Sequence, residues 1–75
     1  MKELVEYVAR GLVEHPDRVS VVEIPEGGGL IYELEVAPDD MGKVIGRQGR
    51  MINALRTLVK AAAVRRGVRV NVEVV

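Results

Sequence analysis

The stretch Gly42-Lys43-Val44-Ile45-Gly46-Arg47-Gln48-Gly49-Arg50 decides how the rest of this 75-residue chain is read. Two glycines flank two polar residues, and apolar residues recur at helical spacing on both sides: Met41, Val44 and Ile45 before, then Met51, Ile52, Leu55, Leu58, Val59 and Ala62 after. The pattern predicts two helices joined by a very tight loop. Glycine lacks the Cβ that holds a ligand away from the backbone, so such a loop can approach a bound group closely. The amides that open the second helix sit at its positive dipole end and suit a phosphate. Lys43, Arg47 and Arg50 add mobile positive charge. The glycine spacing separates this loop from other phosphate loops. A dinucleotide fingerprint needs G-x-G-x-x-G directly after a strand, and a P-loop needs a Gly-Lys-Ser/Thr ending; neither is present.

Outward from the loop, Pro38 suits the first position of the preceding helix, with Asp39 and Asp40 in a first turn where the dipole favours negative charge. Gly46 ends that helix. The following one is predicted from about Gly49 to Arg66, with Gly67 as its cap. A strand lies on each flank. Leu30, Tyr32, Leu34 and Val36 alternate with Ile31, Glu33 and Glu35, and Val68, Val70, Val72 and Val74 alternate with Arg69, Asn71 and Glu73. Further upstream, Gly27–Gly29 reads as a turn, and the β-branched run Val19–Ile24, followed by Pro25, as a short edge strand. Lys2–Glu14 carries Leu4, Val5, Val8, Ala9 and Leu12 on one side and should form an amphipathic helix that stops near His15, because Pro16 disfavours helical geometry before it. The expected fold is α+β, in the order α-β-β-α-α-β. One domain over residues 1–75 would hold a three-stranded mixed sheet with all three helices on one face, the first two strands antiparallel and the last parallel to the second.

Composition narrows the function classes. The chain has no cysteine, so disulfides, thiolate metal sites and cysteine nucleophiles are excluded. His15 is the lone histidine and Ser20 the lone serine, and no cluster of ligating residues stands out, so neither a metal site nor an enzyme is expected. The segment Met1–Glu6 has no signal-peptide pattern and no apolar run approaches a membrane span, which points to a soluble, cytoplasmic protein. Eleven basic residues balance eleven acidic ones, yet the balance hides a division. Residues 1–40 hold three basic and ten acidic groups, a net −7; residues 41–75 hold eight basic groups and only Glu73, a net +7. In one small domain that split can place a positive patch on one side, able to attract a polyanion despite the neutral total, although basic residues near helix C-termini and on solvated faces also simply favour the helix dipole and solubility.

The run Val44-Ile45-Gly46-Arg47-Gln48-Gly49, set within strand, helix, loop, helix, strand, resembles the signature of KH domains. The extra helix and strand at the front resemble the type II arrangement. The likeness extends over the whole chain to the small single-domain bacterial KH proteins, including Glu3-Leu4-Val5, the run Ala37–Arg50 and the closing Arg69–Val74. It implies single-stranded RNA binding: Gly46 and Gly49 give backbone access, Arg47 and Gln48 contact phosphate or sugar, and Lys43 and Arg50 add attraction. Val44 and Ile45 would line an apolar groove for bases. Asn53 and Arg56, with Lys60, follow at helical spacing and could extend the basic surface, although a solvated helix face is the simpler account of all three. The resemblance further implies a larger KH-containing partner protein, self-association, and roles in RNA chaperoning, cell elongation and envelope (peptidoglycan) homeostasis. It implies no cofactor, small-molecule substrate or membrane partner.

Two other readings stand beside it. In one, the loop is structural and the apolar groove or the edge strand Val19–Ile24 docks a protein. The other, an enzyme, finds little support in the residue inventory.

Overall fold

In the computed structural model, which describes residues 1–75, the glycine run folds into a two-residue hairpin turn. Gly27 and Gly28 both have positive φ, 55° and 81°, the backbone twist that suits a tight antiparallel connection. The turn joins β1 (Ser20–Glu26) to β2 (Gly29–Glu35), paired from Ser20↔Glu35 to Glu26↔Gly29. The first strand is longer than expected. Pro25 lies inside it, opposite Leu30, whose amide is turned the other way and donates to the Arg69 carbonyl. A proline at such a non-bonding position of an edge strand costs no ladder hydrogen bond.

The last strand, β3 (Val70–Val74), pairs parallel with β2 in the register Leu30↔Val70 to Leu34↔Val74, giving the sheet order β1-β2-β3. Alternation then sends Val21, Tyr32, Leu34, Val70 and Val72 to the covered face. Ser20, Val22, Glu35 and Asn71 remain on the other face, exposed. The Tyr32 hydroxyl pKa is pushed up to about 12, first by burial and then by its cross-strand partner Glu23. At neutral pH Tyr32 is an uncharged core residue.

The helices supply the rest of one cluster of 14 buried residues. From α1 (Lys2–Leu12) come Val5 and Ala9, from the short α2 (Met41–Ile45) Val44, and from α3 (Arg50–Arg66) Ile52, Leu55, Val59 and Ala63. Each large side chain buried here contributes roughly 1.5–3 kcal/mol. The buried stripe of α3 is rotated from the expected one. Met51 and Leu58 are 37% and 47% exposed and Ala62 is half-buried, whereas Ala63 is fully enclosed. The 3-4-4 spacing Ile52-Leu55-Val59-Ala63 follows the helical period more closely than the apolar residues taken together.

Two helix ends also differ from expectation. Helix α1 stops at Leu12, with Val13 already extended, because the next two amides are drawn to Asp40, described below. Pro38–Asp40 forms a 3-10 turn ahead of α2 instead of its first α turn. The far end of α3 is as expected. Gly67 is left-handed at φ 67°, and the amides of Gly67 and Val68 return to the Val64 and Ala63 carbonyls.

Candidate nucleic-acid interface

The loop between α2 and α3 is built from unusual backbone. Gly46 has φ 77° and ψ 171°, a region that only glycine enters at low cost, and a Cβ added there would stand 2.7 Å from the Met51 Cβ. Gln48 (φ 58°) and Gly49 (φ 74°) are left-handed as well, so three of the four residues Gly46–Gly49 have positive φ. The Gly49 amide closes the turn on the Gly46 carbonyl, and the Arg50 amide reaches the Arg47 carbonyl. At Gly49 an added Cβ would meet only ordinary contacts, the nearest being Asn53 Nδ2 at 3.7 Å. Gly46 is thus needed for fit and conformation, Gly49 for conformation alone.

This backbone holds Arg47, Gln48 and Arg50 on the surface, and neither arginine makes an ion pair. Lys43 differs. Its Nζ lies 3.4 Å from Glu14 Oε1 and 3.8 Å from Asp40 Oδ1, so two carboxylates already balance its charge. Of the two aliphatic residues before Gly46, Val44 is fully buried in the core, and Ile45, 36% exposed, is the one that offers apolar surface beside the loop.

Asn53 and Arg56 lie one turn apart on α3 and are tied together, Arg56 Nη1 donating to Asn53 Oδ1 at 3.3 Å. Arg56 Nε also donates to the Val72 carbonyl of β3 at 2.9 Å. The residue expected only to extend a basic surface is therefore also a clasp between helix and sheet.

Asp40 is the one buried charged residue. Its carboxylate accepts the amides of Glu14 and His15, both at 3.1 Å, and so fastens the chain after α1 to the start of the loop-bearing α2. Burial by itself would raise its pKa. The two amides, then the nearby charges of His15 and Lys43, outweigh that and hold it below the usual aspartate value. Nothing in the sequence signals this anchor, since Asp39 and Asp40 after Pro38 suit a helix start. Asp39 fits the simpler picture better: it is exposed, with Oδ2 3.7 Å from His15 Nε2.

The arrangement places the exposed cations Arg47 and Arg50 on one loop, with no carboxylate paired to either. No group of three or more His, Asp or Glu residues is placed to hold a metal ion, and no helix is long and apolar enough to cross a membrane.

The family model "KhpA/KhpB, KH domain" matches residues 2–74. The chain is 56% identical over 75 residues to the RNA-binding protein KhpA of Caldanaerobacter subterraneus subsp. tengcongensis and 53% identical to that of Clostridium acetobutylicum, covering the full length of both. To the KhpA of Chlamydia pneumoniae it is 45% identical over 74 residues, which are 99% of this chain and 95% of the relative. No solved structure matches.

Proposed function

Because this chain belongs to the KhpA/KhpB family of KH domains, a family of RNA-binding domains and not of enzymes, we propose that it captures single-stranded RNA on the Gly46–Gly49 loop. One observation carries the reading: Arg47, Gln48 and Arg50 are exposed on a loop with three positive-φ residues, and neither arginine has a counter-ion. Arg47 and Gln48 take the phosphate or sugar groups, Arg50 adds long-range attraction, and Ile45 offers apolar surface to a base. Val44 supports the groove from beneath, and Lys43 contributes through whatever charge Glu14 and Asp40 leave it. Asn53 and Arg56 continue the surface toward β3.

Binding through so few phosphate contacts is weak and salt-sensitive, which favours action beside a second module. A KhpB-like KH protein or a second copy of this chain fills that role in our reading. The exposed row Met51, Ala54, Leu58 and Ala61 on α3 gives such a partner apolar surface to meet. A single cytoplasmic domain acting as an RNA chaperone or post-transcriptional regulator, with effects on cell elongation and envelope homeostasis, follows from the same reading.

The test is the double change Arg47→Asp and Gln48→Asp. Crosslinking to RNA in cells should collapse while circular dichroism and the melting temperature stay close to wild type. RNA crosslinking that survives in the folded variant would leave the loop a structural role and favour the protein-docking alternative.

A further inference from the structure

The free edge of β3 carries a second feature beyond the loop. The Leu30 amide bonds the Arg69 carbonyl and the Val75 amide bonds the Leu34 carbonyl, so odd-numbered residues of this segment face β2 and Val72 turns its backbone outward. Both outward groups of Val72 are taken by side chains. Its amide donates to Asn71 Oδ1 and its carbonyl accepts from Arg56 Nε, each at 2.9 Å, while Arg56 Nη1 donates to Asn53 Oδ1.

These bonds settle how both asparagine amides point. A backbone N–H and a guanidinium can only donate, so Asn53 and Asn71 must turn oxygen toward them and leave their NH2 groups for other partners. What remains is a row of donors: Asn53 Nδ2, the remaining Nη hydrogens of Arg56, and Asn71 Nδ2. The row begins at the loop, since Asn53 Nδ2 lies 3.7 Å from where a Cβ on Gly49 would stand. Asn53 and Asn71 are exposed, Arg56 is half-buried, and no carboxylate pairs with Arg56.

We infer that Asn53, Arg56 and Asn71 form a base-reading row that selects guanine over adenine in the captured strand. The inference rests on the RNA-capture reading above. Guanine presents two adjacent acceptors, O6 and N7, to which a guanidinium fork donates twice; the same edge of adenine pairs N7 with an amino donor that would face donors only.

The experiment measures binding of the full chain to fluorescent ten-residue oligouridines carrying one central guanine, adenine or 7-deazaguanine, which lacks the N7 acceptor. The guanine oligonucleotide should bind about tenfold more tightly than the adenine one, with 7-deazaguanine close to adenine. Asn53→Asp and Asn71→Asp keep the accepting oxygen and remove the donor. In the double variant overall affinity falls with the added charge, a carboxylate at position 53 competes with guanine for the Arg56 fork it already touches, and the guanine-to-adenine ratio should fall toward one. Equal affinity for guanine and adenine in the wild type, or an unchanged ratio in the double variant, overturns the inference while leaving RNA capture intact. Failure of every oligonucleotide to bind overturns the capture reading itself.

Discussion

At the scale of single residues, the two loop glycines look equivalent in the sequence and are not equivalent in the fold. Gly46 combines φ 77°, ψ 171° with a space already filled by Met51, whereas Gly49 has left-handed φ and open surroundings. Gly46→Ala should therefore cost about 2–4 kcal/mol, from backbone strain together with the displaced Met51. Gly49→Ala should cost about 1–2 kcal/mol, the ordinary price of a left-handed alanine. Guanidinium denaturation of the two variants measures the difference, and equal losses would contradict the distinction. That the loop needed glycine was legible from G-x-x-G spacing. Which glycine the fold could least spare was not, because the answer lies in the first turn of α3 folding back over Gly46.

At the scale of elements, the position of α2 depends on Asp40. This five-residue helix is too short to be stable by itself and needs anchoring at both ends. Gly46 fixes one end, and the Asp40 carboxylate fixes the other to the amides of Glu14 and His15. The sign of the pH effect follows from the depressed native pKa. The carboxylate's stabilising contribution is fully present above the unfolded value of about 3.9 and is lost as pH falls through the native value. Asp40→Asn should thus melt well below wild type at pH 7, and the gap should close as both proteins are taken to acid; a gap constant from pH 7 to pH 3 would rule the anchor out. The same carboxylate explains the early end of α1, which the amphipathic pattern placed at Glu14. Periodicity can tell which residues are able to extend a helix, but not that a carboxylate 26 positions away competes for the next amide.

At the scale of the whole molecule, the neutral total conceals a −7 front and a +7 back, and folding redistributes that division. The front half's Glu14 and Asp40 reach across to Lys43, leaving Arg47 and Arg50 as the free cations beside the loop. In RNA titrations across salt, Arg47→Ala should reduce the log–log slope by about 0.7, the value of one single-strand phosphate contact. Lys43→Ala should reduce it less, and Glu14→Gln should steepen it by releasing Lys43. Equal effects of Arg47→Ala and Lys43→Ala would show that the ion pairs do not restrain Lys43. The element order, the parallel closing strand, the G-x-x-G loop and the core role of Tyr32 were all determined by the sequence itself, since each rests on local spacing, turn chemistry or strand alternation. Only the tertiary structure decided that Asp40 is an anchor, Lys43 a partnered charge and Arg56 a clasp on Val72. Those roles are hydrogen bonds and ion pairs between residues distant in sequence, and no local pattern encodes which distant partner the packed chain will bring within 3 to 4 Å.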